Sequence, residues 1–567
     1  MKALRRALAS FRLGPRSFLA GLRTTQRLSP EDAADADQLA GFFGPPPAPA
    51  TDGRHLLLLS YQALPYALKM EALLARALQA EGWRVSVVAS PATEPFARAY
   101  HGRVLGAEVH CLEDFLPFRP QPEVAEAVRA ALAAARRDLG EFKALTWRGA
   151  PLALHAVATL SAARPDGVIH VDADNLRLLG RYLRRSMLLL EAAGRLFDQL
   201  RPDLALGIEK GFVGTCEAYY EALNRGTDYV QWVGCHEPES IMLKRYRRDN
   251  ARDHPFSISD GNWAKLRRAP WQDHYRERVM TEFERGYREG AWFRYKSIGG
   301  ATDFPGRDEL QARIGVDAAR KTAVIYSHIL SDANLFYGND LFVGGYEQWL
   351  VETVRTAAEN PRVNWVLKIH PANVVRNRRL GYGGEYGELL ALERAFGRVP
   401  EFLRVVRPED GTSPFAFFGI TDWGITVRGT VGLELPCLGI PVLTAGTGRY
   451  SGKGFTVDSA STGEYLGRIR SIDRIAPLSP EEVRLGQCYA YNVFQARPAR
   501  YGEVCRDTYE GPAHGRRYRN LAFRAGTAGE VLSHPQIRAI ARFLASSEDE
   551  FLEDPAGAAW AKMAAVP

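Results

Sequence analysis

Long apolar runs are missing from this sequence. No stretch approaches the ~20 consecutive apolar residues that a membrane-crossing helix needs, and the N-terminus lacks the continuous apolar core of a secretory signal. The six cysteines (Cys111, Cys216, Cys235, Cys437, Cys488 and Cys505) form no CxxC pair and show no zinc-ligand spacing. Several lie in or beside apolar runs, which predicts buried thiols in a reducing compartment. There is no tandem repeat, no His/Cys cluster and no Ser/His/Asp arrangement. Acidic residues are absent from positions 1–30, which carry Lys2, Arg5, Arg6, Arg12, Arg16, Arg23 and Arg27. Once those seven are set aside, 66 basic groups face 66 acidic ones. The net charge of +7 is therefore a property of the tail, and the body gives no reason to expect a nucleic-acid partner.

What is present fits a two-domain α/β chain. At 567 residues, with 46% hydrophobic and 25% charged content, the sequence exceeds one core. Leu4, Leu8 and Phe11 share a helical face among the arginines. Residues 1–28 are read as an amphipathic arm on an anionic membrane surface, an organellar presequence or a disordered basic leader. "GPPPAPATDG" (Gly44 to Gly53) then reads as a stiff linker, so residues 1–50 are taken as tail and linker.

Folded structure is expected from "RHLLLLSYQ", a buried strand, followed by a helix over Tyr66 to Glu81 and the strand "RVSVVAS". This is a βαβ unit and predicts a parallel sheet. "AEVHCL", "GVIHVD", "DLALGIE" and "DYVQWVGC" are further strand candidates, before a poorly patterned stretch over 237–300. A second series follows: "TAVIYSHI", a helix over 344–358, "NWVLKIHP", "LRVVRP", "WGITVRG" and "PVLTAG". The expectation is two Rossmann-like domains, 51–300 and 301–475, with a helical segment over 476–567 packing back across them. In such folds ligands sit at the C-terminal ends of the strands.

Three strand ends carry the chemistry. "NWVLKIHPAN" ends a buried strand on Lys368 and His370, two residues apart and so expected on one face. "DWGITVRGTVGLELPCLGIPVLTAGTGRYSGKGF" turns at Arg428, Gly429 and Thr430 into a short helix that Pro436 should end early. Glycine admits a phosphate to the backbone, the helix start offers free N–H groups, and Arg428 and Thr430 add donors. Glu434 is placed to accept ribose hydroxyls, and the next turn supplies Arg449, Tyr450 and Lys453. Together these predict a nucleotide-phosphate site.

The Lys-x-His-Pro strand end, the Thr-bearing turn, Gly-x-Glu and the Gly-x-Pro-Val strand resemble the capsule polysaccharide biosynthesis proteins, which are related to bacterial Kdo transferases. "SHILSDANLFYGNDLF" resembles the opening of that family's second domain. The resemblance covers about 320–460. It implies a GT-B fold, a nucleotide-activated sugar such as CMP-Kdo held by the second domain, no essential metal and no cofactor beyond that donor, with a glycan or glycolipid as acceptor. Lys368, His370, Thr430 and Glu434 carry over as donor contacts. Arg428 is a departure, standing where relatives often have a small hydroxyl residue.

A proton acceptor or nucleophile is also needed. Asp332, Glu209 and His236 are the candidates, each following a predicted strand. Asp172 and Asp174 form an Asp-x-Asp pattern, read here as a helix cap rather than a metal site. The basic and aromatic stretch Arg500 to Phe523 is read as a solvated face. The sequence thus predicts a metal-independent glycosyltransferase, cytoplasmic or peripheral on the inner face of the membrane. Glycerol- or ribitol-phosphate transfer and an inactive nucleotide-binding assembly protein are the alternatives.

Overall fold

A computed structural model describes residues 28–48, 53–117, 119, 121–164, 166–293, 303–332, 335–513 and 516–553. The basic stretch 1–27, with its membrane-arm reading, lies outside the described residues.

Each body is built on a parallel sheet. In the first, β1 (His55–Ser60) lies between β2 (Arg84–Ala89) and β4 (Leu204–Gly207), both parallel to it. Beyond β2 lies β3 (Glu108–Cys111), and beyond β4 lies β5 (Asp228–Gly234). β6 (Ser240–Tyr246) then adds antiparallel to β5. All six residues of β1 are buried, because helices cover both faces of the sheet. Leu56 and Leu58 enter one core and Leu57 and Leu59 the other, the period-two consequence of the pleat. Each such leucine contributes roughly 1.5–3 kcal/mol by burial.

The second sheet repeats this plan with every pair parallel. β7 (Thr322–Tyr326) lies between β8 (Asn364–Lys368) and β10 (Trp423–Thr426). Beyond them come β9 (Leu403–Val406) on one side and β11 (Val442–Thr444) and β12 (Val457–Asp458) on the other. Ala323 and Ile325 face one core, and Val324 and Tyr326 the other. Strand order therefore reverses between β1 and β4 in the first sheet and between β7 and β10 in the second, the places where α/β sheets open a crevice. The expected pair of Rossmann-like domains is present.

Four expectations need correction. Residues 30–43 are not linker but a helix, Pro30–Phe43, started by a capping box at Ser29 and docked through Ala36, Leu39 and Phe43. "GVIHVD" forms no strand; Asp172 accepts the Asn175 N–H at 2.8 Å and caps the long helix Ala173–Leu200. The stretch 237–300 contains β6 and the helices Asp260–Leu266 and Asp273–Arg288. The C-terminal segment is only partly helical. After the helix Pro480–Tyr491 it adds β13 (Ala499–Arg500) antiparallel to β6, then a hairpin of β14 (Cys505–Ala513) and β15 (Arg516–Phe523). It ends with the helix Pro535–Ala545, packed in the first body's core.

The two bodies share a core in which Cys235, Met242 and Trp263 meet Leu433, Tyr450, Phe455 and Tyr489. A second junction is the segment after β7. Phe336, 3% exposed, stacks on His155 at 5.6 Å and meets Phe212 edge-on. It presses so closely on Gly211 that a Cβ there would lie 1.9 Å from the ring. Truncating Phe336 to Ala leaves a cavity between the bodies and should cost about 3–5 kcal/mol. Calorimetric unfolding should show a lowered transition for Phe336→Ala; an unchanged Tm would mean that the wedge does not couple the bodies.

Candidate functional site

The crevice is organised by the residues that follow β7 and β10. His328 stacks on Tyr346, with ring centroids 4.7 Å apart, and its Nε2 lies 3.0 Å from the Thr426 hydroxyl. The same nitrogen accepts the N–H groups of Val427 at 3.2 Å and Arg428 at 3.3 Å. The Thr426 hydroxyl in turn accepts the Gly429 N–H at 3.1 Å. A nitrogen in that role carries no proton. Burial, with Arg428, His370 and Arg449 nearby, also holds the His328 pKa well below its ordinary 6.5.

The turn at Arg428 and Gly429 is therefore not an open row of donors. Its N–H groups, expected from sequence to meet a phosphate, are already bonded to His328 and Thr426. The helix that follows, Val431–Glu434, is one turn long and tightens at Pro436 as expected. Thr430 is half-buried, with no capping bond from its side chain. The backbone donors of residues 427–429 are thus taken up within the protein, and side chains are the other groups that could meet an anion here.

Three guanidiniums are positioned for this. Arg428 is buried and ion-paired with Asp340. Arg449 donates from Nη1 to the Arg428 carbonyl at 3.2 Å, while its buried Nε has no partner. Arg252 comes from the first body and donates to the Leu335 carbonyl at 3.3 Å. Burial lowers its pKa first of all, with Asp340 and Arg428 both near enough to act on it. The glycines of the turn after β11 serve packing rather than ligand access. A Cβ on Gly446 would lie 2.7 Å from Arg428 Nη2, and one on Gly448 would lie 2.6 Å from Gly338 Cα.

The other predicted donor contacts are distributed differently. His370 is exposed at the end of β8, with its N–H bonded to Ser327 Oγ at 3.0 Å, and lies close enough to His328 to act on it. Lys368 does not join it. β8 ends at Lys368, whose amine lies 4.4 Å over the Phe417 ring and 3.4 Å from the Thr412 carbonyl, and burial lowers its pKa to about 8. Tyr450 is buried and donates to the Gly429 carbonyl at 2.7 Å, so it braces the turn from beneath. Lys453 leaves the crevice to pair with Asp260.

Of the three catalytic candidates, Glu209 and Asp332 are close enough for the charge of one to act on the other. Glu209 follows β4 and accepts the N–H groups of Lys210 and Gly211, each at 2.8 Å. Burial raises its pKa, and the charge of Asp332, from the other body, raises it further. Asp332 is exposed on the segment after β7. Tyr337 lies beside both carboxylates. The Lys210 amine turns away from Glu209, donating to the Ala251 carbonyl at 2.6 Å and lying 3.8 Å over the Tyr246 ring.

His236 is elsewhere, 1% exposed between Trp292 and Phe494. Burial opposes its charge, but Cys235, Glu282 and Glu237 outweigh that and raise its pKa to about 10. His236, Glu237 and Glu282 place ligand atoms within 4.8 Å of one another. Arg285 pairs with both glutamates and Arg500 with Glu237, so their charge is already matched within an internal ion network.

Sequence reasoning missed His328, Arg252 and Asp340. A signal for His328 existed, because it follows the last residue of β7 by two positions, as His370 follows β8. Arg252 lies in a stretch without periodic pattern, and its relevance depends on the docking of the two bodies.

No family model matches this chain, and no curated protein matches it. Among solved structures it is similar to the KpsC beta Kdo 2,4 transferase of Thermosulfurimonas dismutans, at 14% identity over 59% of this chain and 87% of that one, with a TM-score of 0.34. It is similar to the beta Kdo 2,7 transferase KpsC of the same organism at 17% identity over 58% of this chain and 85% of that one, TM-score 0.31. The spinosyn rhamnosyltransferase SpnG aligns at 14% identity over 77% and 95% of the two chains, TM-score 0.25.

Glu434 supplies the test of this site's electrostatics. It is fully buried, and neither carboxylate oxygen has a hydrogen-bond partner. Burial raises its pKa to about 7, with Tyr287 and Arg449 near enough to limit the rise. Its contribution to stability is therefore complete below about pH 4.5 and lost as pH rises through about 7. Glu434→Gln removes that titration. Relative to wild type, the variant should gain about 3 kcal/mol between pH 4 and pH 8. Urea unfolding at the two pH values measures this; a difference that does not change with pH would contradict a proton-bearing Glu434.

Proposed function

We propose that this chain transfers a glycosyl group from a nucleotide-activated donor to a hydroxyl of a glycan or glycolipid acceptor, in the synthesis of a bacterial capsule or surface polysaccharide. The observation that supports this reading is that the crevice between the sheets' switch points takes residues from both bodies: Glu209 and Arg252 from the first, close enough to feel the charges of Asp332 and Arg428 from the second. The motif resemblance implies a nucleotide-activated sugar, with CMP-Kdo as one candidate, and Arg428, where this chain departs from the pattern, leaves the identity of the nucleotide open. Among the described residues no helix is long and apolar enough to cross a membrane. We place the protein in the cytoplasm, peripheral to the membrane's inner face.

The chemistry assigns a role to each group. A carboxylate, Glu209 or Asp332, takes the proton of the acceptor hydroxyl as its oxygen bonds to the donor's anomeric carbon. The bond from that carbon to the phosphate oxygen breaks, and the departing nucleotide keeps the electron pair. Guanidiniums stabilise the negative charge that grows on the phosphate. Burial above all raises the Glu209 pKa, with the charge of Asp332 adding to it, and a raised pKa strengthens a carboxylate as a base while it remains ionised.

Incubation with a panel of nucleotide sugars, with release of free nucleotide as the readout, tests the reading. Wild type should turn over at least one donor, slowly with water and faster with acceptor. Asp332→Asn or Glu209→Gln should lower that rate by about 10²–10⁴-fold for the residue that acts as base, while nucleotide binding persists. If wild type turns over no donor, the transferase reading falls.

A further inference from the structure

The carboxylate of Glu209 is aimed by backbone. At one oxygen, Oε1, it accepts the N–H groups of Lys210 and Gly211, each at 2.8 Å. The orientation of this candidate base therefore follows the course of the chain at 210 and 211. Phe336 requires a glycine at 211, since a Cβ there would lie 1.9 Å from its ring. Glycine is also the freest pivot in a backbone. Its N–H keeps one direction only where the chain is pinned on both sides.

Lys210 supplies the first pin, through its amine at the Ala251 carbonyl. The second comes from the helix Leu152–Ala162. His155, 1% exposed, lies with Nδ1 2.8 Å from the Gly211 carbonyl oxygen and Nε2 3.0 Å from the Tyr220 hydroxyl. A carbonyl only accepts, so Nδ1 carries the proton and donates. Burial, with Lys210 and Arg252 nearby, lowers the His155 pKa to about 4, so the ring is neutral and Nε2 accepts from Tyr220. Hydrogen bonds thus run from Tyr220 to His155, from His155 to the Gly211 carbonyl, and from the Gly211 N–H to Glu209. Phe336, from the second body, stacks on the His155 ring at 5.6 Å and covers Gly211, so the docking of the bodies bears on the same chain of bonds.

We propose that His155 is the positioning residue of the base: through the Gly211 carbonyl it fixes the Gly211 N–H that holds Glu209 Oε1, which leaves Oε2 to take the proton of the acceptor hydroxyl. This rests on the transferase reading above and deepens it, because it selects Glu209 over Asp332 as the base. As the hydroxyl oxygen bonds to the anomeric carbon, its proton passes to Oε2, and the departing nucleotide keeps the electron pair of the broken bond.

The groups around Glu209 define what a pH titration reads. Lys210 lies beside it, Asp332 acts on it by charge from the second body, and Tyr229 and Tyr337 are near enough to feel it. Burial raises its pKa, and the bonds from the Lys210 and Gly211 N–H groups oppose that rise. Loosening the Gly211 N–H therefore raises the pKa further, and the ionised form is then lost at a higher pH.

Carboxyl NMR of the whole chain, with isotope-labelled glutamate, tests this; the Glu209 signal is the one missing from Glu209→Gln. His155→Leu keeps bulk under Phe336 and removes the donor, and Glu209 should then titrate about one pH unit higher. His155→Asn returns an N–H near the place of Nδ1 and should restore most of the wild-type value. Thr159→Val is the control for general loosening, because Thr159 accepts the Val213 N–H at 2.9 Å and holds the same loop past Gly211. It should leave Glu209 unchanged. In donor turnover, the acid limb of kcat/KM should move with Glu209 in each variant. An unchanged Glu209 in His155→Leu refutes the positioning, as does an equal shift in Thr159→Val or in His155→Asn. A limb that stays while Glu209 shifts makes Asp332 the base and overturns the part of His155 in the reaction. If wild type turns over no donor, the transferase reading falls, while the titration still upholds or refutes the hold of His155 on Glu209.

Discussion

One neutral imidazole holds the crevice in shape. His328 accepts, at a single nitrogen, the N–H groups of two successive residues after β10 while stacking on Tyr346. In many α/β proteins those N–H groups remain open for a ligand's phosphate. Here the protein supplies the acceptor itself, and the consequences spread outward. The turn is fixed without a ligand, Arg428 is sent toward Asp340, and the Arg428 carbonyl is left to receive Arg449. A protonated His328 could accept none of these bonds, so the surrounding cations that depress its pKa are part of the same arrangement.

The second condition is that the two bodies stay docked. Neither contains the site alone. Glu209 and Arg252 belong to the first, and Asp332, Arg428 and Arg449 to the second. Docking draws on the shared aromatic core around Trp263 and Tyr489 and on the Phe336 wedge against Gly211, with polar contacts such as Lys453–Asp260 besides. Lys210 contributes indirectly. Its amine and the Tyr219 hydroxyl both donate to the Ala251 carbonyl, at 2.6 and 2.7 Å, which anchors the loop that presents Arg252. A residue beside a candidate base thus positions a cation across the crevice.

Much of the scaffold was legible because both sheets are buried on both faces. "HLLLLS", "VSVVA" and "TAVIY" are short apolar runs between turn signals, and each became a strand. "GVIHVD" has the same look but ends in the Asp that caps a helix, and the local bond from Asn175 won. The hairpin β14–β15 was hidden by its charges: Arg519 and Asp507 pair at 2.6 Å within it, so residues that read as a solvated face are partly internal. At the site, Arg428 and Arg449 were legible as strand-end cations, and Glu209 and Asp332 as strand-end carboxylates. Strand periodicity pairs Lys368 with His370, but β8 ends at Lys368, whose amine is held by Phe417 and the Thr412 carbonyl, while His370 is exposed beyond the strand. Arg252 and Asp340 were not legible, since their roles come from contacts between segments distant in sequence.

The departure at Arg428 carries its own requirement. A small hydroxyl residue in that place needs no counter-charge, whereas a buried guanidinium without one is strongly destabilising. Asp340 meets that need when no ligand is bound, and the glycine at 446 makes room for the guanidinium to reach it. Arg428, Asp340 and Gly446 are therefore one device: removing the carboxylate exposes a charge, and adding a Cβ blocks the fork. The turn is thus held from two sides: His328 and Thr426 take up the N–H groups of residues 427–429, and Asp340 takes up the charge of the guanidinium that the turn carries.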